Sequence, residues 1–154
     1  MSIENEIKQP NFKNERQKSV INLIYTYNWV TEKIKVHLDK YDITSQQFNI
    51  LRILRGTGVP LSTLQIRQRM LDKMSDTSRI VDRMVRKNLV TKTISSVDKR
   101  LVDVEISDSG KKLLDKLDER QDEMDAVLEN ISIEEAQSLN SLLDKIRNSD
   151  KVAV

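Results

Sequence analysis

Between residues 60 and 104, ten Lys or Arg side chains stand against five acids, a local net charge of +5. Arg79, Arg83, Lys92, Lys99 and Arg100 lie in this segment, and Ser62, Thr63, Ser75, Thr77 and Ser78 set short hydroxyls among them. Cations interleaved with small hydrogen-bonding groups suit the recognition of a polyanion. Basic side chains that neutralise phosphates gain affinity by releasing condensed counterions. A guanidinium fork can also read guanine bidentately in a groove. The chain offers little for catalysis: it has one His, no Cys, and no Ser-His-Asp order, glycine-rich phosphate loop or metal-ligand cluster. No enzymatic function, metal site or cofactor is expected, and a disulfide or thiol switch is excluded.

The positive segment is local. Residues 1–59 hold nine cations and six anions, whereas residues 105–154 hold seven and thirteen, so the overall +2 hides a gradient. A charge run is commonly a solvated face, but this one coincides with a definite layout of elements. After Met74, Ile80 with Met84 and Val81 with Val85 share one helical face, and Arg79, Arg83, Arg86 and Lys87 project away from it. Val102, Val104 and Ile106 alternate with Asp103 and Glu105 as in a half-buried strand. The stretch from Leu89 to Ile94 supplies its partner strand, across the polar turn Ser95-Ser96-Val97-Asp98-Lys99-Arg100. A basic helix followed by a basic hairpin is the layout of a winged helix-turn-helix, in which one element enters a major groove and the other reaches an adjacent minor groove. This layout assigns Ser75, Asp76, Thr77, Ser78 and Arg79 to the groove, with Arg83 along the same helix. Arg79 is the candidate for bidentate reading of guanine; Asp76 either accepts from cytosine or caps the helix. Ser62, Thr63, Gln65 and Gln68 are placed to touch the phosphate backbone.

The remaining elements must position this segment. Residues 1–13 are polar and aperiodic and are expected to fray. Asn14 to Asp39 reads as a long helix whose stripe runs Val20, Leu23, Ile24, Tyr27, Val30, Ile34, Leu38, with Trp29, Val36 and His37 off it. Thr44 and Gln47 form a capping box opening a helix that buries Phe48, Leu51 and Leu54 and ends before Gly56. Val59-Pro60-Leu61 suits a short edge strand. Ser62 caps a third helix with Ile66 and Met70 inward, and Leu71-Asp72-Lys73-Met74 is the turn into the basic helix. Ser107 caps a further helix, whose apolar positions continue from Leu113 to Ile131 at near-heptad spacing; Ser132 and Glu135 open a last one. These terminal helices carry more apolar surface than one small domain can cover. They meet either each other within the chain or a second copy in a two-fold dimer. The expected protein is mainly α with a small β-wing, one domain over residues 1–154: a winged helix-turn-helix at 44–106, with dimerisation helices at 14–39 and 107–148. No run approaches the ~18 uncharged apolar residues of a membrane helix. Glu4 and Glu6 interrupt any leader-like start, so a cytoplasmic location is the expectation.

The thirteen residues from Asn88 to Arg100 resemble the wing of the MarR family of bacterial transcription regulators. Val104-x-Ile106-Ser107-x-x-Gly110 is similar to that family's second wing strand and following helix cap, and the likeness extends over roughly residues 20–146. The family's wing glycine is Asn88 here, and its arginine after Leu-Val is Lys92. Asn tolerates the left-handed backbone of a helix end, while Lys keeps a phosphate contact without the arginine fork. The resemblance implies a homodimeric, sequence-specific DNA-binding regulator, a repressor on a pseudo-palindromic operator. It implies that Asp98 braces Arg100, that Arg100 enters the minor groove and that Lys99 meets a phosphate. It also implies a small aromatic or anionic effector near the junction of the dimerisation and DNA-binding parts, for which Tyr25, Trp29, His37 and Arg52 are the candidates. A winged-helix module for protein–protein assembly, without sequence-specific DNA binding, shares the same fold.

Overall fold

The structure, a computed structural model, describes residues 1–148, so residues 149–154 of the expected single domain lie outside the described residues. The start of the chain is ordered rather than frayed. A short helix, α1 (Ile3–Glu6), buries Ile3, pairs Glu4 with Lys18 at 2.5 Å, and accepts the Tyr25 hydroxyl on Glu6 at 2.9 Å. Its partners lie on the next helix, so local periodicity could not show it. That helix, α2 (Glu15–Asp39), is capped by Asn14, whose side chain accepts from the Gln17 amide. Only Leu38 is buried along it; Val20, Ile24 and Tyr27 of its apolar stripe are more than half exposed.

Thr44 and Gln47 form the expected reciprocal box and open α3 (Ser45–Thr57). The helix runs through Gly56 and stops at Gly58, whose φ is +66°. A glycine inside a helix costs only about 1 kcal/mol relative to alanine, whereas the left-handed exit favours a residue without Cβ, and that is position 58. Ile50, Leu51 and Leu54 of α3 are buried, and Phe48 is only half-buried. A two-residue strand, β1 (Leu61–Ser62), precedes α4 (Thr63–Arg69), which the Ser62–Gln65 box caps. Then comes α5 (Thr77–Arg86), with Ile80, Val81 and Met84 inward. Asn88, just past this helix, takes the left-handed conformation, φ +59°.

The wing is the hairpin β2 (Val90–Ile94) and β3 (Val102–Ile106), paired antiparallel from Val90 opposite Ile106 to Ile94 opposite Val102. β1 joins the free edge of β3, Leu61 opposite Val104, giving a three-stranded sheet in the order β1-β3-β2. Ile50, Leu51, Ile66, Met70, Val81, Met84 and Val104 make the core where these helices meet the sheet. α6 (Asp108–Asp118) closes it. Ser107 caps this helix, accepting from the Gly110 amide and donating to the Asn88 carbonyl at 2.6 Å. The fold is a mainly helical winged helix with a small antiparallel sheet.

The near-heptad pattern from Leu113 to Ile131 does not make one helix. α6 ends at Asp118, and a second compact unit begins at Gln121. Residues 118–123 read Asp-Glu-Arg-Gln-Asp-Glu, with no apolar side chain to hold a continuous helix against anything. The second unit contains α7 (Gln121–Asp125), a 3-10 turn (Ala126–Leu128) and α8 (Ile133–Asn148), opened by the expected Ser132–Glu135 box. No side chain of α8 is buried. Among the described residues no helix is long and apolar enough to cross a membrane.

Candidate nucleic-acid interface

The start of α5 is built around Asp76. Its carboxylate accepts from the Arg79 amide at 3.3 Å and lies 3.3 Å from Arg79 Nε. Of the two readings of Asp76, the helix cap is the one this geometry realises. Arg79 keeps 79% of its side chain exposed. Ser78 and Arg83 are exposed too. Ser75 and Thr77 depart from expectation, because both are buried. The Ser75 hydroxyl donates inward to the Asp72 carbonyl at 2.9 Å, and Thr77 Oγ1 lies in the interior with no hydrogen-bond partner among the described residues. Packing of the turn under the helix start takes both hydroxyls out of reach of a ligand. On α4, Ser62 spends its hydroxyl on the Gln65 amide, and Thr63 is half-buried.

The wing tip is a braced turn. Asp98 Oδ1 accepts from the Arg100 backbone N–H at 3.0 Å and from Nε at 3.1 Å, while Oδ2 accepts from Nη2 at 3.0 Å. The guanidinium holds the Asp98 carboxyl below its usual range. Arg100 is 88% exposed against 33% for Asp98, so the pair presents the cation and tucks the anion beneath it. Ser95 is buried below the turn and accepts from the Val97 and Asp98 amides at 3.3 and 3.4 Å. Lys99 is exposed beside them.

Lys92 is not an unpaired cation. Its ammonium donates to Asp82 Oδ1 at 2.8 Å, tying β2 to α5, and this contact lowers the Asp82 carboxyl. A lysine so neutralised is a strut between wing and helix before it is a phosphate contact. Pairing across elements leaves no trace in local spacing.

None of Tyr25, Trp29, His37 and Arg52 lines the open cleft described below. The Tyr25 hydroxyl is engaged by Glu6, Lys33 stands over the Trp29 ring at 5.6 Å, and the Arg52 guanidinium lies over Phe48 at 5.4 Å. An open cleft of about 500 Å³ is lined instead by Asp39, Asp42, Ile43, Thr44, Gln47, Arg83, Arg86 and Lys87. Leu71 and Met74, in the turn before α5, are almost wholly exposed. Apolar side chains in a polar turn were the signal of this in the sequence.

The family model "MarR family" matches residues 43–102. A curated relative, the HTH-type transcriptional repressor MdtR of Bacillus subtilis (strain 168), is 32% identical over 73 residues, which are 47% of this chain and 46% of that protein. The chain thus spans about half the length of the relative it matches. Among solved structures, a mutant MarR from E. coli complexed with operator DNA superposes with a TM-score of 0.78 at 21% identity, covering 88% of this chain and 98% of the other. An organohalide-sensing transcriptional regulator in its 2,4-dichlorophenol-bound form gives 0.80 at 20% identity, covering 88% and 81%. At these identities the two structures speak for the fold alone.

Proposed function

Because the chain belongs to the MarR family, we propose that it is a homodimeric, sequence-specific DNA-binding transcription regulator of the repressor type. The observation that carries the reading is the wing tip, where Asp98 fixes an exposed Arg100 within the most basic segment of the chain. A guanidinium held in place before binding loses less side-chain freedom when it enters a groove. Arg79 and Arg83 on α5 serve the major groove, Arg100 the minor groove, and Lys99 the phosphates.

Dimerisation is the second half of the proposal. The exposed stripe of α2 (Val20, Ile24, Tyr27) and that of α8 (Leu139, Leu142, Ile146) are large apolar side chains open to solvent. Such surface is favourably removed from water at about 25 cal/mol per Å², and a second copy is the partner we assign to it. In this reading residues 44–106 are the DNA-binding part, and 14–39 with 107–148 the dimerisation helices. A small aromatic effector, of the kind held by the 2,4-dichlorophenol-bound neighbour, is part of the proposal, with no residue assigned to hold it.

Selection of bound duplexes from a random pool tests the reading. The expected result is one enriched pseudo-palindrome with half-sites about one helical turn, ~10 bp, apart. Retention of DNA with no enriched sequence would overturn it and favour the protein–protein assembly role that the same fold can serve.

A further inference from the structure

We propose that Met74, with Leu71 on the same turn, reads thymine methyl groups at the major-groove edge, an inference that rests on the DNA-binding reading above. Leu71 and Met74 are 88% and 91% exposed on the single turn that leads into α5. Scattered exposed apolar residues are ordinary. Two of them on a four-residue turn, each almost wholly in water, are an apolar surface with no occupant among the described residues.

The turn is built to hold them out. The Leu71 amide donates to Asn49 Oδ1 at 2.9 Å, and the Met74 amide donates to Asp72 Oδ1 at 2.9 Å. Asp72 Oδ2 accepts from Gln46 Nε2 at 3.3 Å, and the Asp72 carbonyl accepts from the Ser75 hydroxyl at 2.9 Å. Lys73 reaches back to the Gln68 carbonyl. With these bonds made, the backbone cannot turn Leu71 and Met74 inward without breaking several of them. Both oxygens of Asp72 are engaged within the protein, so its charge is partly spent.

The surroundings select a polyanion as the occupant. Arg67, Arg69 and Arg79 are all exposed near this turn in sequence. The start of a recognition helix is the part that meets base edges. Here that start is poor in hydroxyls, because Ser75 and Thr77 are buried. Met74 stands two residues before the Asp76 cap. The apolar group that a major groove offers is the thymine 5-methyl. Met is unbranched and adaptable, which suits a shallow methyl contact.

The test replaces thymine by deoxyuridine, one position at a time, in the duplex enriched by selection. This removes the methyl and leaves every hydrogen-bonding group. At one or two thymines in each half-site, wild-type affinity is expected to fall about four-fold, the worth of one buried methyl group. Met74→Gln keeps the length and is exposed, so its fold is retained and can be checked by thermal melting. It should bind thymine and deoxyuridine duplexes equally at those positions, and Leu71→Gln should narrow the difference. Indifference of the wild type to every replacement overturns the inference while leaving the DNA-binding reading intact. So does a methyl preference that survives Met74→Gln. Failure of the wild type to enrich any duplex overturns the DNA-binding reading itself, and this inference with it.

Discussion

Asp98 is an acid placed where a polyanion would approach, and simple electrostatics makes its removal favourable. The wing geometry argues the opposite, because the carboxylate orients Arg100 through both its oxygens. Asp98→Ala is therefore expected to weaken operator binding in a fluorescence titration; a tighter complex would refute the bracing role. Arg100 lowers the carboxyl below its ordinary value of 3.8. A depressed acid contributes fully above its ordinary pKa and loses that contribution as pH falls through the lowered one. The brace is thus constant through neutral pH and is lost only as pH falls below the ordinary carboxyl range. Arg79 and Arg100 should separate by mode. Arg79→Ala is expected to cost about 1–3 kcal/mol on the operator and to relax preference at one base pair per half-site. Arg100→Ala should weaken many sequences alike and flatten the log–log salt slope by about one unit for one lost phosphate contact.

The elements are joined by a few close contacts that can be tested singly. At Gly110, in the first turn of α6, an added Cβ would stand 2.3 Å from the Leu89 carbonyl oxygen and 2.9 Å from Ile106 Cγ1. The first obstacle is backbone and cannot rotate away, so the helix must shift off the wing. Gly110→Ala is expected to lower stability by roughly 1–3 kcal/mol, the usual cost of overpacking, read as a lower urea midpoint at unchanged slope. The Arg55 guanidinium grips both oxygens of Asp118, at 2.6 and 3.1 Å, and holds α6 to α3 independently of that contact. At the other end, α1 rests on Glu4, whose carboxyl the Lys18 ammonium lowers from 4.5 to about 2. The sign follows from the depression. The contact is fully present above about pH 4.5 and is lost as pH falls towards 2. Acid should release residues 1–13 to proteolysis before the core melts, and Glu4→Gln should release them at neutral pH as well. Equal protection at pH 3 and pH 7 would show that Ile3 burial alone holds α1.

For the whole molecule the question is where the exposed apolar stripes go. Sedimentation at micromolar concentration is expected to give about twice the 17.9 kDa chain mass. Leu142 is exposed and Leu143 half-buried on α8. Converting both to Glu should yield a monomer that has lost tight operator binding, since each half-site alone then carries the affinity. A folded wild-type monomer that binds the operator fully would sink the dimer.

What the sequence by itself determined lies within three or four residues of its cause. The boxes at Thr44 and Ser132, the caps at Ser62 and Ser107, the left-handed Asn88 and the alternation of Val102, Val104 and Ile106 each depend on near neighbours. The wing, the basic helix and the exposure of Arg79 and Arg100 were legible for that reason. What only the tertiary structure decided depends on partners far along the chain. Ser75 and Thr77 were given to the groove by their chemistry and taken from it by burial. Lys92 found Asp82 ten residues back, across two elements. α1 exists because Ile3 finds cover and because α2 offers Lys18 and Tyr25, and Gly110 is needed because the Leu89 carbonyl passes over it. Periodicity shows which side of a helix is apolar but not whether anything covers it. That is why α2 and α8 keep their stripes in water in a single chain, and why the turn at Leu71 and Met74 showed its exposed surface only once folded.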